Sequence, residues 1–150
     1  MELLKLAALD AEDLTVISAH LQDAILRPED LCYLPGEKRF LLALRRFDWS
    51  AGPKAAPSRR LAGLHFERVL SAQTRGLGPR SVAPDAMPLS LLAITFTPSD
   101  PPSGHIEILF SGNATLRLEV ECVEARMKDL GPVWGAKARP GHDAPPDTAV

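Results

Sequence analysis

Residues 114–122 read ATLRLEVEC, and this stretch decides the fold. Leu116, Leu118, Val120 and Cys122 fall on one side of a period-two pattern, and Arg117, Glu119 and Glu121 fall on the other. Successive side chains of a strand point to opposite faces, so this is a strand buried on one side. The residues that follow can be read two ways. Leu116, Val120, Val123, Met127 and Leu130 also fit a helical spacing, and Gly131 stands where a helix commonly ends. The spacing predicts a strand to about 122 and then a short helix closing at Gly131.

Upstream, the same alternation recurs. Ser111-Gly112-Asn113 has the composition of a tight hairpin turn, and before it Ile106, Ile108 and Phe110 share a face. Residues 89–97 place Leu92, Ile94 and Phe96 inward, and residues 61–72 place Leu64, Phe66 and Leu70 together. Residues 39–47 align Phe40, Leu42 and Leu44. Shorter strands are expected at 3–9, 24–27 and 31–34, with turns at Pro28-Glu29-Asp30 and at Pro35-Gly36-Glu37-Lys38. The period changes to 3.6 over residues 11–22, where Leu14, Ile17 and Leu21 form one stripe behind Asp10, an N-cap residue. Residues 50–60 and 76–88 are rich in proline and glycine and read as surface loops. Residues 135–150 offer little to bury and are expected to be a disordered tail behind a single globular domain over 1–134.

The expected class is α+β: seven or eight antiparallel strands in meander order, an early helix and a short carboxy-terminal helix. A pleckstrin-homology-like half-barrel is compatible with that order.

Composition bounds what such a domain does. The chain has 150 residues, 45% hydrophobic and 24% charged, which excludes a wholly disordered chain. Uncharged runs fall short of the roughly 18 residues that span a bilayer, so no membrane segment is expected. Cys32 and Cys122 have no zinc-type spacing, and the Met1-Glu2-Leu3-Leu4-Lys5 start lacks the ordered regions of an export signal. The expected compartment is the cytoplasm, with both thiols reduced.

Net charge is −2, but residues 1–34 carry −5, residues 35–80 carry +7 and residues 81–150 carry −4. A basic middle between acidic ends is either neutralised on folding or left as a basic face for an acidic partner. In the second case Arg45, Arg46, Asp48, Trp49, Arg59 and Arg60 are the residues expected to contact an acidic protein surface or another copy of the chain. The same bases could contact phosphates, but aromatics for base stacking are only 5% of the chain, so nucleic acid is the weaker partner.

Catalytic patterns are sparse. No GxSxG, HExxH, Walker loop or GxGxxG occurs. His65/Glu67 and His105/Glu107 each place a histidine and a carboxylate on one strand face. With strand 89–97 between them the pairs would stand roughly 9–10 Å apart, too far for one ion. No metal and no cofactor is therefore expected. His65 with Glu67 remains the candidate for a small-ligand or enzymatic site, beside the leading expectation of a non-enzymatic binding or scaffolding module.

The phrases AEDLTVISAHLQDA, YLPGEKRFLLALRRFDW, LHFERV, LSLLAITF and LRLEVECVEARMKDLGPVW, in that order over about residues 3–134, resemble the bacterial family known as domain of unknown function 2948. The resemblance implies a single-domain soluble cytoplasmic protein and brings no activity with it.

Overall fold

The computed structural model describes residues 4–47, 58–77 and 88–135. The strands are β1 (Lys5–Ala8), β2 (Ile25–Leu26), β3 (Leu31–Leu34), β4 (Arg39–Phe47), β5 (Ser58–Phe66), β6 (Val69–Arg75), β7 (Leu89–Pro98), β8 (Gly104–Phe110), β9 (Ala114–Val120) and β10 (Ala125–Gly135), with one helix, α1 (Ala11–Leu21), after β1. They form one antiparallel sheet of order β1-β10-β5-β4-β2-β7-β8-β9-β6, and β3 pairs with β4 beside this path.

Local chemistry explains the elements that were legible. The Asp10 side chain accepts the Asp13 N–H at 2.8 Å and caps α1, whose buried residues are Leu14, Ile17 and Leu21. Lys38 closes the β3–β4 turn in the left-handed region, at φ 52°. Gly112, at φ 74°, lets the chain reverse between β8 and β9.

The two-residue β2 hinges the sheet. Ile25 pairs with Arg45 on β4 and with Ser90 on β7, so it links two halves that would otherwise be separate. Beyond β2, the turn after α1 and then α1 itself take over the edge of β7: Leu91 N–H donates to Ala24 O at 2.8 Å, and Ile94 N–H donates to the Ser18 hydroxyl at 2.9 Å. The curl places one hydrophobic core between the inner faces, with Leu44, Phe66, Ile106, Ile108 and Leu116 almost wholly buried. Removing apolar surface of this kind from water is the main favourable contribution to folding.

Four expectations need correction. The carboxy-terminal helix is a strand: Ala125, Met127 and Asp129 are buried, while Arg126, Lys128 and Leu130 are exposed. The inward position 129 holds an aspartate, so the apolar alternation is broken and a helical spacing looks better in sequence. Gly131 consequently lies inside β10, and the expected pleckstrin-homology-like closure by a carboxy-terminal helix does not form; the strand path is open. Residues 61–72 are not one strand. The chain turns at Glu67-Arg68, with Arg68 at φ 62°, and β5 and β6 are separate strands, giving ten among the described residues in place of seven or eight.

The third correction concerns Leu70 and Leu92, expected inward, which are 50% and 47% exposed. Each is the extra residue of a β-bulge, between Val69 and Ser71 and between Leu91 and Ala93, so the preceding Val69 and Leu91 take the buried positions. Fourth, the order is not a simple meander, because β10 inserts between β1 and β5, and β6 lies beside β9. The loop expected over 50–60 gives up Ser58–Arg60 to β5, and its remainder, like most of 76–88 and the tail after Gly135, lies outside the described residues.

Among the described residues no helix is long and apolar enough to cross a membrane.

Candidate binding groove

The basic middle of the chain is largely neutralised. Of its eight described bases, six have an acid within 4 Å: Lys38 with Glu121, Arg39 with Glu37 and Glu67, Arg45 with Asp30, Arg46 and Arg60 with Asp129, and Arg68 with Glu121 and Glu124. Three of the arginines singled out for partner contact are interior. Arg46, Arg59 and Arg60 are 4%, 4% and 6% exposed.

Arg46 and Arg60 face each other across β4 and β5 at one end of the core. Asp129 on β10 accepts Arg46 Nε at 2.8 Å, Arg46 Nη2 at 2.9 Å and the Leu4 N–H at 2.8 Å, and Arg60 Nε lies 3.9 Å from it. Burial by itself raises the Asp129 pKa, but the Arg46 hydrogen bonds, the Leu4 N–H and the two positive charges outweigh it, so the carboxyl sits below its ordinary value. Arg59 lies on the other side of β5, 5.8 Å from the Phe47 ring centroid, and donates through Nη1 to the carbonyls of Arg45 and Asp23. Burial lowers its pKa, against the opposing pull of Asp23. These charges tie β1, β4, β5 and β10 together. Of the expected contact residues, Arg45 keeps a partly exposed side chain, and Asp48 and Trp49 lie outside the described residues.

The outward face of the same strands carries a groove of about 810 Å³. That is within the usual range for ligand sites. Its floor is set by cross-strand register: Ala43 pairs with Gly63, and Gly63 with Lys128. A Cβ at Gly63 would stand 3.0 Å from Leu130 Cδ1, so the missing side chain opens the floor. Leu41 and Leu130 supply apolar walls.

Charge in the groove is divided between its ends. Lys5 and Lys128 are Cα partners across β1 and β10, and Arg126 follows on the same face of β10. All three are exposed, and among the described residues none has an acidic partner. Like charges directly opposite on neighbouring strands repel, so the pair is costly unless something anionic covers it. Glu29 and Asp30 line the far end, beside β3. Asp30 is held by the Arg27 N–H, at 2.9 Å, whereas Glu29 is exposed and has no partner among the described residues.

His65 also lines the groove. Its Nδ1 is 2.6 Å from Glu67 Oε2, which also accepts Arg39 Nε at 2.8 Å. An ionised carboxylate only accepts, so Nδ1 carries the proton, and Nε2 is the ring nitrogen left for a ligand. Cys32 is exposed in the groove on β3, in register with Leu41 and through it with His65. Two strand spacings, about 10 Å, separate the Cys32 and His65 backbones, and Leu41 stands between them.

The two histidine pairs are farther apart than the sequence implied. His105 is on β8, and β4, β2 and β7 all intervene between it and β5. Its ring meets Glu119 of β9 at 2.5 Å rather than Glu107. Among the described residues no group of three or more His, Cys, Asp or Glu could hold a metal ion. The residues that sequence reasoning missed are Lys5, Arg126, Lys128 and Glu29. The signal for the middle two was present in the alternation of Ala125 to Leu130, had it been read as a strand.

Comparison with known proteins agrees with the sequence resemblance. No curated protein and no solved structure matches the chain. A family model described as "Protein of unknown function (DUF2948)" matches residues 4–142, nearly the whole length. The chain therefore belongs to the DUF2948 family.

Proposed function

We propose that this protein is a non-enzymatic binding module whose outward groove receives an anionic group of a partner together with the apolar surface next to it. The observation that carries the reading is the facing pair Lys5 and Lys128 with Arg126 beside it, unpaired among the described residues and bordering an apolar floor. The basic segment 35–80 contributes little to such a surface, because most of its described charges are matched internally. This moves the partner contact from Arg59 and Arg60 to β1 and β10, and it weakens the nucleic-acid alternative, which relied on that segment.

A matched pair of probes tests it. Decanoate should compete for the groove with a fluorescent amphipathic sulfonate, whereas decylammonium, with the same chain and opposite charge, should not. Lys128→Glu with Arg126→Glu should weaken decanoate at least tenfold. Equal competition by the two chains, or no effect of the reversal, refutes the reading.

A second reading, a ligand or reaction handled by His65 with Glu67, is favoured by the dyad lying in the same groove. His65→Gln with unchanged decanoate competition argues for charge and apolar contact alone. A loss of competition argues for the imidazole.

A further inference from the structure

The groove is bipolar, and we infer that its occupant is a short extended peptide with free ends, its carboxylate over Lys5, Lys128 and Arg126 and its ammonium at Glu29. This rests on the groove being a binding site and specifies what fills it.

Three observations combine. The first is the separation of unpaired charge: Lys5, Arg126 and Lys128 at the β1–β10 end, and Glu29 beside β3 at the other. A ligand bearing only negative charge would leave Glu29 unmatched and facing it. The second is length. From β1 through β10, β5 and β4 to β3 is four strand spacings, roughly 19 Å along the sheet surface. A fully extended chain covers at most about 3.3–3.6 Å per residue, so six residues span it and four do not. The third is the floor between the ends. Leu41, Ala43, Gly63 and Leu130 are apolar or small, and His65, whose Nδ1 is held by Glu67, lines the groove beside them. A peptide supplies both kinds of contact, with small or aliphatic side chains against the floor and backbone groups for the imidazole.

Calorimetric titration with the hexapeptide Ala-Leu-Ser-Ala-Leu-Ser tests the inference, using the free-ended form, the N-acetylated form and the C-amidated form. The free-ended peptide should bind, and each cap should weaken it about tenfold. Glu29→Lys should abolish the preference for a free amine alone, and Lys128→Glu the preference for a free carboxylate alone. Both positions are exposed, so both variants should fold. Among free-ended peptides, six residues should bind more tightly than four. If the acetylated peptide binds as tightly as the free-ended one, or if decanoate competes for the groove but no free-ended peptide binds, the dipolar peptide is wrong and the anion-binding groove stands. If neither peptide nor decanoate binds, the groove reading itself has failed.

Discussion

Arg46 and Asp129, 83 residues apart in sequence, are joined inside the molecule by two parallel hydrogen bonds of 2.8 and 2.9 Å. The same carboxylate accepts the Leu4 N–H, so one side chain binds a central strand to the edge strand that forms one wall of the groove. Asp129→Asn leaves the Arg46 guanidinium buried without the carboxylate that it grips through two hydrogen bonds. Breaking a buried pair on one side costs about 3–5 kcal/mol. Urea unfolding should show a loss of that size for Asp129→Asn. The double change Arg46→Met with Asp129→Leu, which removes both members of the bidentate pair, should lose distinctly less. Equal losses would mean that the network contributes through packing rather than charge.

Stability should fall on the acid side because of the same group. The folded protein holds the Asp129 pKa below its ordinary value. The unfolded chain takes up this proton near pH 3.9, while the folded chain resists it until a lower pH. Between those values the unfolded state binds more protons, so stability rises with pH across that window and is fully present above it. The unfolding free energy of the parent protein should therefore drop as pH falls from about 4 through the folded-state value. Asp129→Asn should be flatter over the same range. Parallel curves would show that other carboxylates carry the acid dependence.

Filling the groove floor should separate binding from folding. A Cβ at Gly63 meets Leu130, whose side chain is half exposed and free to move aside. Replacing a strand glycine by alanine also gains about 0.5–1 kcal/mol of backbone entropy, so Gly63→Ala should leave stability within about 1 kcal/mol of the parent. Gly63→Leu should obstruct the floor and reduce decanoate competition severalfold, with the thermal midpoint lowered by only a few degrees. Undiminished competition in Gly63→Leu would place the ligand elsewhere.

The bulge in β6 makes neighbouring residues unequal. Val69 is fully buried and Leu70 is half exposed. Val69→Ala removes two buried methyl groups and should cost roughly 2 kcal/mol. Leu70→Ser should change stability by no more than about 0.5 kcal/mol. The opposite ranking in denaturant melts would restore the uninterrupted 61–72 strand that the sequence suggests.

Much of the fold was legible because it is local. Asp10 and the Leu14, Ile17, Leu21 stripe define α1, and alternation defines β4, β8 and β9 without reference to anything distant. Period two says which face of a strand is buried, and it does so wherever the pattern is unbroken. It fails at Leu70 and Leu92, where a single extra residue reverses the phase, and at Asp129, where a polar residue occupies an inward position. The aspartate is tolerated there because Arg46 and Leu4 satisfy it, and both are far away in sequence.

Of the groove only His65 was legible in the sequence, since its other parts come from both ends and the middle of the chain. The amino-acid sequence determined the antiparallel β class, the capped early helix and the position of most core residues, because those follow from spacing and capping over a few residues. Tertiary structure alone decided that β10 lies between β1 and β5, that three arginines are buried, and that Lys5 faces Lys128 across from Glu29. Strand neighbours are chosen by the free energy of burying whole faces together, and no local pattern carries that information.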